Sequence, residues 1–349
     1  MRAVAKSEIQ WCDAVWNPTR GCARVSPGCG TGTAGGCYAE RQAHRFSGKG
    51  QSYEGLTILG KHGPRWVGNA RFVPEKLGEP LKWRKPQRVF VNSMSDLFHS
   101  DITNEQIAAV FGVMAACPRH TFQCLTKRPE RMLEWFRWVQ CQSETPSGAE
   151  MFVQQCAYNL LGDRFPLHPI KGTFKRYPWP LRGVHLGVSC EDQQRADERI
   201  PLLLQCPAAV RWVSYEPALE AVDFTRYLKP TLVSADGRRL QHPDPAVPNT
   251  GGTWEFGLDW LVAGGESGPN ARQCSVDWIR DVVRQCQHAS VPVFCKQLGS
   301  AYVDAENGVG GHRCPAVIPD YGAITRLKDR KGGDPSEWPE SLRVREFPA

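Results

Sequence analysis

No stretch of this chain approaches the roughly eighteen consecutive apolar residues that a membrane-spanning helix requires. The opening segment, MRAVAKSEIQWCDAVW, lacks the continuous apolar core of a secretory signal. The expectation is therefore a protein that stays in the cytoplasm where it is made. Internal repeats and low-complexity tracts are also missing, which excludes solenoid and fibrous architectures. Hydrophobic residues make up 41% and charged residues 23%, so a wholly disordered chain is excluded and a sizeable core is expected. At 349 residues the chain is long enough for two domains, but single β/α barrels reach this length and one large domain with insertions is the simpler expectation.

What the chain does carry is cysteine, fourteen in all. In a reducing compartment these point to metal binding or burial rather than to a disulfide framework. Cys117, Cys124, Cys190, Cys206, Cys286 and Cys295 lie in or beside apolar runs, where cysteine behaves as a small hydrophobe. The formal charge of +7 favours an anionic partner, of which nucleic acid is the commonest. Basic and aromatic residues interleave in KWRKP (82–86) and RFPLHPIKGTFKRYPWPLR (164–182), a pattern able to stack bases against tryptophan or tyrosine.

Short β-like runs alternate with helical patterns, the signature of β/α units around a parallel sheet. The runs are 13–17, 88–93, 121–126, 184–189, 210–216, 259–266 and 291–297; amphipathic helices are predicted over 104–116, 193–205 and 276–288, with another starting at Pro129. The predicted class is α/β, a partial β/α (TIM-like) barrel of six to seven parallel strands spanning 1–299. Insertions are expected at about 48–86, 139–182 and 229–257, and 300–349 as a C-terminal extension packed on the barrel. Each run ends in polar residues: Asn17, Ser93 with Asp96, Lys127 with Arg128, Ser189 with Glu191, Glu216, Glu266, and Lys296 with Gln297. In parallel β/α folds such strand ends gather on one rim, which points to an enzyme; individually, any of them can instead cap the following helix.

The segment TRGCARVSPGCGTGTAGGCYAERQAHRF places Cys22, Cys29 and Cys37 in one glycine-rich loop, separated by six and seven residues. Soft thiolates in such a loop suit an iron–sulfur cluster or zinc. Three ligands on a four-iron cluster leave one iron open to the amino and carboxylate groups of S-adenosylmethionine (SAM). Zinc is the competing reading, with Cys12 or His44 as a fourth ligand.

WCDAVWNPTRGCARVSPGC followed by CYAER resembles the opening of a phage- and prophage-encoded three-cysteine-motif family related to radical SAM enzymes. The blocks NSMSDLFH (92–99), LTKRPERM (125–132), LGVSCEDQ (186–193), SYEPAL (214–219), DWLVAGGESGPNAR (259–272) and FCKQLG (294–299) extend the resemblance over nearly the whole chain. One departure is the second cysteine gap, seven residues here where the family usually has two; it leaves the zinc alternative open.

The resemblance implies a [4Fe-4S] cluster on Cys22, Cys29 and Cys37, with SAM as second cofactor. It implies Tyr38 beside the cluster or adenine, and Ser93, Ser95 and Asp96 near the methionyl amino group. Lys127 or Arg128 would pair with a carboxylate or phosphate, and Ser189 and Glu191 would reach the ribose. Glu216, Glu266 and Lys296 are the barrel-mouth candidates for catalysis, against the alternative that Glu216 and Lys296 form an ion pair that braces the rim. The implied reaction is SAM cleavage to a 5′-deoxyadenosyl radical that abstracts hydrogen from a nucleotide or a DNA base, leading to modification, rearrangement or repair. The implied partners are DNA and an electron donor such as a flavodoxin or ferredoxin, in the host cytoplasm if the protein is phage-encoded. Two rivals stand beside this reading: a non-catalytic zinc or iron–sulfur nucleic-acid-binding protein, and a radical SAM enzyme acting on a peptide or small metabolite.

Overall fold

A computed structural model describes residues 9–30, 36–142, 146–166, 179–228, 231–233, 239–241, 253–255, 257–304, 306, 309–311, 317–318, 322–323 and 325–348. The expected insertion at 229–257 falls mostly outside the described residues, as do 167–178 of the basic, aromatic segment.

The fold is α/β, of partial β/α-barrel type. Its main sheet has seven strands: β1 (Ala14–Trp16), β2 (Arg88–Val91), β3 (Thr121–Thr126), β4 (Val184–Ser189), β5 (Val210–Tyr215), β6 (Trp260–Gly264) and β7 (Val293–Gln297). Sheet order and chain order coincide from β1 to β7. The pairings β1–β2, β2–β3, β3–β4, β5–β6 and β6–β7 are all parallel. Strands that are buried on both faces read as continuous apolar runs, and Trp212, Val213, Tyr215, Trp260, Leu261 and Val262 are all fully buried.

The helices follow their local signals. Helix α1 (Tyr38–His44) comes directly after Cys37. Thr103 and Gln106 form a reciprocal capping box that starts α2 (Asn104–Ala115), and Pro129 occupies the first turn of α3 (Pro129–Cys141). Helix α4 (Pro146–Leu161) was not predicted. Its inward face carries Glu150 and Gln154, both 0% exposed and hydrogen-bonded to each other at 2.6 Å, which breaks the apolar periodicity. Helix α4 packs on α2, so residues 107–115 of α2 are buried on every side; at Gly112 any Cβ would run into the Val153 carbonyl. Helices α5 (Gln193–Leu204) and α6 (Val276–Ala289) are the other long helices among the described residues. In α6, Ile279, Val282, Val283 and Cys286 form the buried stripe.

The chain divides into two compact units, Met1–Val188 with Gln205–Ala209, and Ser189–Leu204 with Val210–Ala349. Residues 300–349 belong to the second unit because the tail runs beside β7: Cys295 N–H donates to Val344 O at 2.9 Å and Glu346 N–H to Val293 O at 3.0 Å. Seven of the twelve tryptophans (11, 16, 66, 135, 212, 260 and 338) are buried, so they serve the core and are not available to stack on bases. The six cysteines expected in the core are at most 3% exposed.

Candidate functional site

The three clustered cysteines lie in the first unit, just beyond β1. Cys22 follows Gly21, which takes φ +85° and bridges to Ser95; a Cβ there would collide with the Asn69 carbonyl oxygen. Cys29 closes the single helical turn Pro27–Cys29, and Cys37 caps the N-terminus of α1. All three are free and half-buried. Cys22 and Cys37 pack with Met94 against an apolar cluster of Ala39, Ala43, Tyr53, Leu56 and Trp66.

Burial pushes the Cys22 thiol up to about 12, and the charge of Asp96 pushes the same way. Arg128 opposes them, while Cys37 and Cys29 add repulsion. Burial likewise raises the Cys37 thiol, against hydrogen bonds from the backbone of Glu40 and Ala39. Charge on the neighbouring sulfurs thus adds to the cost of ionising Cys22 and Cys37. A bound cationic group would relieve that repulsion and hold them as thiolates.

Two guanidiniums flank the trio. Arg128 donates to Asp96 Oδ2 at 2.8 Å, to Ala23 O at 2.9 Å and to Cys22 Sγ at 3.7 Å. Arg24 forks onto Glu40 at 2.9 and 2.6 Å, and Glu40, 1% exposed, also accepts the Trp66 N–H at 3.0 Å. The bond to Glu40 raises the Arg24 pKa most, with smaller contributions from Cys29 and Cys37.

Of the other residues implied in this unit, Tyr38 is 46% exposed and its hydroxyl reaches Ser93. Ser93 donates to Asn17 Oδ1 at 3.3 Å, and Ser95 donates to Thr19 O at 2.9 Å while Thr19 donates to it at 2.8 Å. Asp96 is saturated: besides Arg128 it accepts from Thr126 at 2.8 Å, Phe98 N–H at 3.0 Å and Lys127 N–H at 3.2 Å. It is therefore a brace for the cysteine loop and has little capacity left for a ligand amine. Sequence reasoning missed Asn92. This residue follows β2 with φ +61°, is 3% exposed, and neither polar atom of its amide finds a hydrogen-bond partner among the described residues. Strain together with an orphaned buried amide, one residue before Ser93, marks a place where a polar ligand is expected. The sequence signal that could have found it is an asparagine directly following a buried strand.

In the second unit every implied carboxylate has its own cation. Glu191, 0% exposed, pairs with Arg199 at 3.0 Å, and Arg199 also donates to the Ser189 carbonyl at 2.7 Å. Glu266 is gripped by the Arg272 side chain at 2.9 and 3.0 Å. Glu216 meets Lys296 at 2.9 Å and accepts from Ser214 at 3.2 Å, the rim-bracing pair set out as the alternative. That pair is the most open of the three, with side-chain exposures of 25% for Lys296 and 13% for Glu216.

The donor set bears on the zinc alternative. Zinc with thiolates at about 2.3 Å needs its ligand atoms within about 4 Å of one another. Among the described residues no three ligand atoms that include a cysteine lie within 4.8 Å of one another. His44 is seven residues from Cys37 along α1, about 10 Å away at 1.5 Å per residue, and its Nδ1 is 3.1 Å from Thr57 Oγ1. Cys12 is buried before β1 with its thiol directed at Ile9 O. Among the described residues the thiol trio is thus not gathered into the tetrahedral spacing that a single zinc ion requires.

Residues 6–334 match the model of a family described as protein of unknown function (DUF5131). No curated protein and no solved structure matches the chain.

Proposed function

For a chain that belongs to the DUF5131 family over almost its full length, we propose the activity of a radical SAM enzyme, with Cys22, Cys29 and Cys37 as ligands of a [4Fe-4S] cluster. When bound, such a cluster supplies the electron that cleaves SAM and so starts hydrogen abstraction from substrate. The observation that carries this reading is the cysteine trio itself: three half-buried thiols in one loop, two of them, Cys22 and Cys37, made costly to ionise chiefly by burial, with guanidiniums on either side.

The chain's own residues then have separable tasks. Arg128 orients the Cys22 sulfur and offsets its charge, while Asp96 and Thr126 hold that guanidinium in place. Asn92, Tyr38 and Ser93 offer polar groups to the methionyl and adenosyl parts of SAM, and Lys127 a cation toward its carboxylate. In the second unit Glu216 and Lys296 are the groups suited to act on substrate, since their pair is partly open. Glu191 and Glu266 hold the frame. The substrate class that the basic balance favours is a nucleotide or DNA base, and an external flavodoxin or ferredoxin would deliver the electron in the cytoplasm.

The test is anaerobic purification with iron and sulfide analysis, followed by reduction in the presence of SAM and a search for 5′-deoxyadenosine. Four irons and four sulfides per chain with nucleoside release are expected. Stoichiometric zinc, or iron without nucleoside, defeats the catalytic reading.

A further inference from the structure

Residues 57–66 form a projecting β-hairpin, Thr57–Gly60 paired antiparallel with Gly63–Trp66, in the register Thr57–Trp66, Ile58–Arg65, Leu59–Pro64 and Gly60–Gly63. Its base is fixed. Thr57 and Trp66 are buried, Trp66 packs on Tyr53 at a ring separation of 6.3 Å, and its N–H is held by Glu40. Its far end is bare: Leu59 is 71% and Ile58 43% exposed, and Lys61 with His62 make the exposed two-residue turn.

Charge collects around it. Residues 41–71 hold six Lys and Arg against the single carboxylate Glu54. Lys61 and Arg65 are exposed and form no ion pair among the described residues. Exposed apolar tips are a liability unless something covers them, and unpaired cations beside one select a polyanion with apolar faces. The base of the hairpin shares its apolar cluster with Cys22 and Cys37, so whatever the ribbon grips is held next to the cysteine loop.

We infer that this hairpin is a duplex-DNA contact, with Lys61 and Arg65 on phosphates and Leu59 packed against base edges; this deepens the nucleic-acid part of the function proposed above. The dimensions agree. A two-stranded ribbon fits the B-form major groove, about 12 Å wide and 8.5 Å deep, and four residues per strand reach roughly 13 Å. The major groove of an RNA duplex is too narrow and deep for it.

The test is binding of the full-length protein, without SAM, to a fluorescein-labelled 20-base-pair DNA duplex by anisotropy across a salt series. Losing two phosphate contacts in the double variant Lys61→Gln, Arg65→Gln should flatten the slope of log affinity against log salt by about 1.8 and weaken binding on the order of tenfold. Leu59→Ser should weaken binding roughly threefold with the slope unchanged. The control Arg137→Gln, Lys328→Gln removes two exposed cations elsewhere and should leave binding near wild type.

All these side chains are exposed, and matching melting curves exclude misfolding as the cause. The inference is overturned by an unchanged slope in the Lys61, Arg65 variant, by an equal loss in the control, or by equal affinity for duplex RNA. It is also overturned if the duplex is ignored while an acidic flavodoxin binds and is released by the same double variant. Hairpin-dependent DNA binding without nucleoside release would sink the catalytic reading and leave this one standing. Nucleoside release from a protein that ignores DNA would do the reverse.

Discussion

Glu191 follows β4, Glu216 and Glu266 follow strands of the second unit, and each of the three lies in the second unit and is closed by a cation of that unit: Arg199, Lys296 and Arg272. Cys22, Cys29 and Cys37 follow the first strand of the first unit, and the guanidiniums beside them are already committed to Asp96 and Glu40. In the second unit acid meets base: the charge of Glu191 and Glu266 is spent on holding the frame, and the Glu216–Lys296 pair is matched but partly open. In the first, both guanidiniums are already matched by carboxylates, and burial holds the Cys22 and Cys37 thiols toward their neutral form. Buried charge that is matched builds a frame, whereas buried thiols whose neighbouring cations are already matched ionise only if a ligand supplies further positive charge. Both arrangements look alike in sequence, a polar residue after an apolar run.

The largest expected effect tests the cysteine side. Replacing Cys22, Cys29 and Cys37 together with Ala should abolish iron and sulfide uptake in anaerobic reconstitution, while replacing exposed Cys141 should not. Retained iron in the triple variant would break the comparison. On the matched side, Glu191→Ala strands Arg199 in a buried position. It should destabilise the fold by about 3–5 kcal/mol, read from the urea midpoint; a loss under 1 kcal/mol would mean that Glu191 is not part of the frame.

A smaller effect comes from β4, where burial holds the His185 imidazole down to about 4, with its Nδ1 unpartnered among the described residues. A histidine depressed in the fold contributes stability that is fully present above its ordinary value of about 6.5 and is lost as pH falls through about 4. Stability should therefore drop by on the order of 2 kcal/mol between those pH values. His185→Gln should flatten that slope, and an unchanged acid limb in the variant would remove His185 as its source. The smallest structural effect is expected from Glu216→Gln, about 1 kcal/mol because the pair with Lys296 is partly open. If that variant keeps its cluster and its melting point but makes no 5′-deoxyadenosine, Glu216 belongs with the chemistry instead of the frame.

The strands were legible because parallel strands covered on both faces are written as short apolar runs. The expected 121–126 and 184–189 are β3 and β4 to the residue, and the other five strands differ only by trimmed ends. Helix α4 was not legible, since Glu150 and Gln154 satisfy each other on its buried face and disguise the period. The three cysteines could be read from their spacing. Their guanidinium flanks could not: Arg24 lies sixteen residues from Glu40, and Arg128 lies 106 residues from Cys22. Asn92 was missed because nothing in a sequence distinguishes an amide left unpartnered from one that is paired.

The sequence alone determined the seven strands of the main sheet and helices α2, α3, α5 and α6, since periodicity and capping are local. It also determined that three thiols lie within one loop. Only the tertiary structure decided which ionisable groups neutralise each other and which do not. Partners such as Asp96 with Arg128, or Glu216 with Lys296, are chosen by where parallel strands end in space. Pairing energy depends on distances of a few ångströms and on burial, and neither is fixed by the order of residues along the chain.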